Sequence, residues 1–243
     1  SPTILQNKRI AKLMPKPPTK FPRSVLPCQE IRKLITNRVI LSETTLDPKQ
    51  IQPSSIDLRL SSKAWRMRAS FLPGRKRKVK TLINQLAMQE INLDEGYILE
   101  KGSVYLVKLQ ESLELPTHIE ALGNAKSSTG RLDLFTRLIT DHGTEFDRVN
   151  NGYSGPLYAE IAPNSFSVFA RKGTMLNQIR FKTQHDLKSK KPEILEKLKL
   201  IDKHLITGHA PAKNFSINLK NAHTNVVGYR AKRHTGLIDL TKI

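Results

Sequence analysis

The sequence has 243 residues and combines 41 Lys and Arg with 21 Asp and Glu, which gives a formal net charge of +20 at pH 7. It contains no apolar run near the roughly 20 residues that a membrane-spanning helix needs, so we expect no membrane association. A single cysteine, Cys28, excludes a disulfide within the chain and predicts a cytoplasmic protein.

The positive charge is concentrated in two segments that lack any acidic residue, residues 1–23 and 58–89. Such segments predict either a solvated surface or contact with a polyanion. The aromatic content is only 6%, and the sequence has no helix-turn-helix, zinc-finger or RNA-binding sheet motif, which argues against nucleic acid as the partner. We interpret residues 1–22 as a flexible basic leader, because its prolines interrupt any long helix.

A helical extension is predicted next, over residues 23–44. Within residues 28–38, Ile31, Leu34 and Ile35 share one helical face, and Pro27 suits the start of a helix. A second helical spacing occurs in residues 79–89, after a basic loop that Pro73 and Gly74 open.

The remaining periodic segments alternate as strands do, and glycine turns separate many of them. They are residues 56–60, 64–69, 97–100, 103–109, 119–125, 156–163, 165–170 and 175–181. Many short strands without alternating helices predict a mainly β fold, a sandwich or barrel with a few short helices.

The last quarter of the chain differs in composition. Residues 184–212 are interpreted as a linker with one amphipathic helix, at about 192–206. Residues 216–220, 226–231 and 236–240 then have strand patterns, and SINLK (216–220) matches SIDLR (55–59). We interpret residues 213–243 as a partial second copy of the β domain, since so short a segment cannot bury a core alone.

The chemistry-bearing residues are concentrated between Lys126 and Phe181. This stretch combines hydroxyls, glycine turns, an arginine and one acid in an otherwise apolar strand. Hydroxyls and backbone N–H groups bind phosphates, and glycines let the backbone approach a ligand. The pattern therefore predicts a nucleoside triphosphate site.

Five segments resemble the dCTP deaminases of the dUTPase-like superfamily, in the same order along the chain. They are QPSSIDLRL (52–60), LDEGYILEKGSVYLVKLQESLELP (93–116), AKSSTGRLDLF (125–135), GYSGPLYAEIAPN (152–164) and KGTMLNQIRF (172–181). The resemblance covers residues 45–183 and implies a dUTPase-like β-clip or jelly-roll-like barrel. The preceding helix and the partial repeat resemble the long, tandem-domain form of the family.

The resemblance also implies a reaction and partners. Members convert dCTP to dUTP and ammonia, some also hydrolyse dUTP to dUMP, and Mg²⁺ binds through the substrate triphosphate. Compact members are homotrimers with sites at subunit interfaces, so we expect a homo-oligomer. One cysteine excludes the Cys/His zinc site of other nucleobase deaminases, so no zinc is expected. Phe181 is not followed by the aromatic, basic and amide tail that closes the site in compact members, which leaves the closing element unassigned.

Glu160 is the candidate catalytic acid–base, because an acid in an apolar strand is costly to bury without a partner or a role. The alternative is an exposed position on an edge strand. By resemblance Glu160 is the catalytic glutamate, which takes a proton from water and returns it to the ring nitrogen or the leaving amine.

The segment from Lys126 to Arg131 supplies the other predicted catalytic residues, Ser127 and Arg131. The resemblance places Arg131 against the reacting base, whereas the alternative is a surface ion pair with Asp133 or Glu145. The hydroxyls could simply cap a short helix, or Ser127 could bind water or phosphate. The predicted substrate contacts of this segment are Lys126, Ser127, Ser128, Thr129, Gly130 and Arg131.

Three further substrate-binding residues are predicted: Asp147, Tyr158 and Ala159, beside Glu160. Asp147 either forms a turn or, by resemblance, faces the deoxyribose or holds a hydrolytic water. Tyr158 lines the pyrimidine pocket by its backbone. Asp57 and Gln178 are expected to be structural.

Three functions stay open at this point. They are a dCTP deaminase, a dUTP diphosphatase or bifunctional enzyme, and an inactive basic module that binds nucleotides or nucleic acid. Glu160 favours the deaminase, since uracil has no amine to remove.

Overall fold

The computed structural model describes residues 25–183 and 236–242. The described residues form thirteen strands, three α-helices and two short 3-10 helices, Pro48–Gln50 and Leu240–Lys242. The helices are α1 (Cys28–Thr36), α2 (Val79–Leu86) and α3 (Ser127–Arg131). The strands are β1 (Ile40–Ser42), β2 (Ile51–Gln52), β3 (Ser55–Met67), β4 (Ala87–Asn92), β5 (Tyr97–Leu99), β6 (Val104–Glu114), β7 (Ile119–Ala125), β8 (Leu134–Thr140), β9 (Arg148–Val149), β10 (Ser154–Pro163), β11 (Ser167–Ala170), β12 (Met175–Thr183) and β13 (Leu237–Asp239).

The first predicted helix is confirmed as α1, which buries Ile31 and Leu34. The second is confirmed only as far as Leu86, where α2 ends. Residues 87–92 instead form β4 and pair with β3. Backbone pairing to a neighbouring strand thus overrides the helical spacing that extended to residue 89.

Ten strands form one sheet, in the order β8-β10-β6-β3-β12-β7-β9, with β1 beside β6 and with β2 and β4 beside β3. The two ends of this sheet meet, because β8 packs against β7 and β9. Asp147 joins them: its N–H donates to Leu138 O (2.9 Å), its Oδ1 accepts from Leu138 N (2.7 Å), and its carbonyl accepts from Gly123 N (2.8 Å). The sheet is therefore a nearly closed barrel, which confirms the predicted fold class.

Two apolar clusters occupy opposite faces of the barrel wall. The main core includes Ala159 and Ile161 of β10. Tyr158 of the same strand belongs to a second cluster beneath α2, which also contains Met67, Val79, Ile83, Leu106 and Ile139. Because successive side chains of a strand point to opposite faces, Glu160 shares the face of Tyr158.

A small second sheet has the order β13-β11-β5. The strand predicted at residues 236–240 is confirmed as β13, which runs parallel to β11. Leu240 follows it and is buried in the main core. The basic leader (1–22), the helix at 192–206 and the strands at 216–220 and 226–231 lie outside the described residues. Within the described ranges, no helix is long and apolar enough to cross a membrane.

Candidate functional site

Glu160 lies in the middle of β10, between β6 and β8, where it is opposite Leu106 and Arg137. Its relative exposure is 3%. The alternative of an exposed position on an edge strand is therefore wrong. A carboxylate at such a position needs compensating charge or hydrogen bonds.

Arg137 and Ser70 supply that compensation. Glu160 Oε1 accepts from Arg137 Nη2 (2.6 Å) and Nε (3.1 Å), while Glu160 Oε2 accepts from Ser70 Oγ (2.6 Å). Arg137 Nη2 also donates to Ser70 Oγ (2.9 Å). The guanidinium carbon of Arg137 lies 3.5 Å from the ring centroid of Phe146 and 4.7 Å from that of Phe135. These contacts fix the orientation of Glu160.

Neither Arg137 nor Ser70 was predicted from the sequence. Arg137 lies in LFTRLIT, where one basic residue interrupts an apolar run just as Glu160 does in PLYAEIAP. Two opposite charges in two otherwise apolar runs indicate a cross-strand pair once the strands are known to be neighbours. Ser70 carries no such signal, since its contact with Glu160 depends on the path of the loop after β3.

The segment from Lys126 to Arg131 connects β7 to β8 and forms α3. Lys126 Nζ lies 2.5 Å from Oδ2 of the buried Asp57, so this lysine is already ion-paired. Thr129 is buried and donates to Leu176 O (3.0 Å). Ser127 and Arg131 are exposed, and Arg131 forms no ion pair with Asp133 or Glu145. Asp57 was expected to be structural, and the structure shows that it forms an ion pair with Lys126.

Ser128 and Thr129 line a cleft of about 420 Å³ together with Lys126. The opposite wall comes from the turn at residues 171–176 and from Leu240 and Thr241. Glu160 does not line this cleft. Helix α3 leads into the start of β8, where Leu134 pairs with Pro163 of β10. Arg137 and Glu160 pair three residues further along these two strands. That offset is roughly 10 Å along the strands.

The other predicted site residues are divided between the two faces of β10 and the barrel seam. Ala159 is buried in the main core. Tyr158 is 7% exposed, and burial raises its pKa to about 12, with the negative charge of Asp141 adding to the shift. Asp147 adopts a φ of +60° and holds the seam through Leu138 and Gly123. Burial raises the pKa of Asp147, although the Leu138 N–H and the charge of Arg137 oppose the shift. These contacts support the turn-forming, structural alternative for Asp147.

Gln178 accepts a hydrogen bond from Ser55 Oγ (3.0 Å), in keeping with its expected support of the strand. Within residues 25–183 and 236–242, no three His, Cys, Asp or Glu side chains are grouped so that they could hold a metal ion.

Two models of protein-family sequences match this chain. One, described as the 2'-deoxycytidine 5'-triphosphate deaminase N-terminal domain, matches residues 22–185. The corresponding C-terminal domain model matches residues 187–243. The chain belongs to the dCTP deaminase family. The resemblance seen in the sequence motifs is therefore confirmed.

Individual members of the dCTP deaminase family match over much of the chain. The dUMP-forming dCTP deaminase of Persephonella marina is 35% identical over 113 residues, 46% of this chain and 60% of that protein. The dUMP-forming dCTP deaminase of Dictyoglomus turgidum is 30% identical over 162 residues, 65% of this chain and 79% of that protein. The crystal structure of 2'-deoxycytidine 5'-triphosphate deaminase from Agrobacterium tumefaciens matches with a TM-score of 0.74 and 43% identity. That match covers 90% of this chain and 66% of the Agrobacterium protein.

Proposed function

We propose that the chain hydrolytically deaminates dCTP to dUTP and ammonia, with Glu160 as the general acid–base. The observation that carries this proposal is the buried Glu160 carboxylate, held by Arg137 and Ser70 on a central strand within the family motif. An oriented carboxylate can accept a proton from the attacking water and then deliver it to the ring nitrogen or the departing amine. Arg137 and Ser70 are positioning residues in this scheme.

The site is proposed to form between subunits. Support comes from the separation of Glu160 from the cleft beside Ser128 and Thr129, since a single chain leaves these two groups of predicted residues apart. In this scheme Ser127 and Arg131 of one chain, both exposed, complete the site around Glu160 of another. Residues 45–183 would then be the catalytic unit and the oligomer its active form. Mg²⁺ enters with the triphosphate as part of the substrate, and the free thiol of Cys28 suits a reducing cytoplasm.

The Glu160→Gln variant tests the acid–base role. Glutamine keeps an oxygen for Arg137 and nearly the same volume, so the fold and dCTP binding should persist while ammonia release is lost. Glu114→Gln, at an exposed position at the end of β6, is the matched control and should retain full turnover. If Glu160→Gln keeps even a tenth of wild-type turnover, the assignment is wrong.

A bifunctional enzyme that also hydrolyses dUTP to dUMP is the second candidate, and one observation favours it. The relatives from Persephonella marina and Dictyoglomus turgidum are both dUMP-forming. Incubation with dCTP and Mg²⁺, followed by chromatographic separation of dCTP, dUTP and dUMP, distinguishes the two outcomes. Accumulated dUTP indicates deamination alone, whereas dUMP without free dUTP indicates the bifunctional reaction.

A further inference from the structure

Asn151 and Gly152 form the single Asn-Gly pair of the sequence, in the turn between β9 and β10. Both residues are exposed, and Gly152 adopts a φ of +71°. An asparagine that precedes glycine is chemically labile, because glycine has no Cβ to keep its backbone nitrogen away from the asparagine side chain. This pair is therefore where a side-chain amide of the chain is most reactive towards its own backbone.

The reaction of such a pair needs no co-reactant except water. The backbone nitrogen of Gly152 attacks Cγ of Asn151, so that a new C–N bond forms and the bond from Cγ to Nδ2 breaks. The proton of the Gly152 N–H leaves with Nδ2 as ammonia, and a succinimide remains. Water then opens the succinimide at one of its two carbonyls, which gives aspartate or isoaspartate. Both products add a negative charge, and isoaspartate also inserts a methylene into the main chain.

The folded turn holds both reacting groups in other contacts. Gly152 N donates to Pro116 O (3.2 Å), and Asn151 Nδ2 donates to Thr117 O (2.7 Å). The Gly152 nitrogen must leave Pro116 before it can attack, and the Asn151 amide must turn away from Thr117 before its carbon can face Gly152. The reaction therefore requires a local opening of the turn.

The same turn leads into the strand that carries the candidate catalytic residue. Leu115 N donates to Tyr153 O (2.7 Å), and the Tyr153 hydroxyl donates to Pro156 O (2.5 Å) at the start of β10. An aspartate at position 151 has no donor for Thr117 O and would place a carboxylate against that carbonyl. Conversion of Asn151 would therefore weaken the attachment of the turn to residues 115–117.

We propose that Asn151 is a deamidation site, protected while the turn is hydrogen-bonded to Pro116 and Thr117 and converted to aspartate and isoaspartate when the turn opens. This inference is independent of the proposed function, because the chain itself is the reactant.

The first test compares the folded chain with the urea-unfolded chain at the same neutral pH and temperature, by peptide mapping with mass spectrometry over time. Asn164, which is exposed and precedes Ser165, is the internal control. In the unfolded chain Asn151 should react faster than Asn164. In the folded chain the conversion of Asn151 should be slower by about tenfold or more, since opening breaks two hydrogen bonds. Equal rates for the two asparagines in the unfolded chain would overturn the site, and equal rates for Asn151 in the folded and unfolded chains would overturn its protection.

The second test measures the consequence of the modification with Asn151→Asp, which reproduces the aspartate product. The matched control is Asn150→Asp, which adds the same charge at the neighbouring exposed position. The readout is the urea midpoint of unfolding, followed by the fluorescence of Trp65, the single tryptophan. Asn151→Asp should lower the midpoint, whereas Asn150→Asp should leave it unchanged. Equal midpoints for the two variants would overturn the claim that the hydrogen bond to Thr117 O secures the turn.

Discussion

Replacing Arg137 by methionine measures how strongly the barrel depends on the Arg137–Glu160 pair. Methionine retains the apolar contacts with Phe135 and Phe146 but removes the charge, so Glu160 keeps only the hydrogen bond from Ser70. Removing one partner of a buried ion pair costs about 3–5 kcal/mol, because the other charge stays buried and unpaired. The Arg137 side chain is 25% exposed, so water can replace part of the lost interaction.

We therefore expect the free energy of unfolding to fall by about 2–3 kcal/mol, somewhat less than for a fully buried pair. For a chain of this size the melting temperature should fall by roughly 5–10 °C. Trp65 is the single tryptophan and packs against the second cluster, so its fluorescence in urea reports unfolding beside the pair. Adding Glu160→Gln to Arg137→Met completes a double-mutant cycle, for which we expect a coupling of about 2 kcal/mol. A coupling below about 0.5 kcal/mol would refute the claim that the two side chains stabilise one another.

Four other results are expected. Asp147→Ala should lower the free energy of unfolding by about 1–3 kcal/mol, since Leu138 N–H loses its acceptor, whereas Asp147→Asn should not. Burial raises the pKa of Asp147 in the folded chain. The wild type should therefore lose stability relative to Asp147→Asn as the pH rises from below the ordinary aspartate pKa to neutrality. Parallel pH–stability curves for the two proteins would contradict this. Selective chelation of zinc, with Mg²⁺ restored, should leave dCTP turnover unchanged, and a loss that only zinc rescues would overturn the mechanism. Light scattering at micromolar concentration should show an oligomer; a monodisperse monomer with full deaminase activity would exclude a site shared between subunits.

The strands that the sequence predicts well are those whose signal is local. Residues 119–125 and 175–181 alternate in hydrophobicity, and the structure places them side by side as β7 and β12. Residues 134–140 were not predicted as a strand, yet they form β8, which closes the barrel. The end of α2 was placed too late because Ala87–Asn92 pairs with β3, and pairing partners are not visible in a single segment.

The candidate site shows the same limit. The apolar strand around Glu160 identified a buried acid, but its partners lie 23 and 90 residues away along the chain, at Arg137 and Ser70. Likewise, motif order placed Lys126 at a phosphate, and only the fold shows that Asp57, 69 residues earlier, already pairs with it. The hydrophobic pattern of the sequence indicates which charged residues need a partner, whereas the strand order of the barrel determines which residue is that partner.

The parallel pairing of β13 with β11 has a consequence for how the chain can be divided. Ser167 pairs with Leu237, although the boundary between the two matched family domains falls between residues 185 and 187. A fragment cut at that boundary would expose the backbone edge of β11 and remove Leu240 from the main core. The two domains are therefore not interchangeable modules, and recombination at the boundary would separate a strand from its sheet. The pairing of β13 with β11 could also form between two subunits, with β13 of one subunit beside β11 of another. Such an exchange of strands creates domain-swapped oligomers.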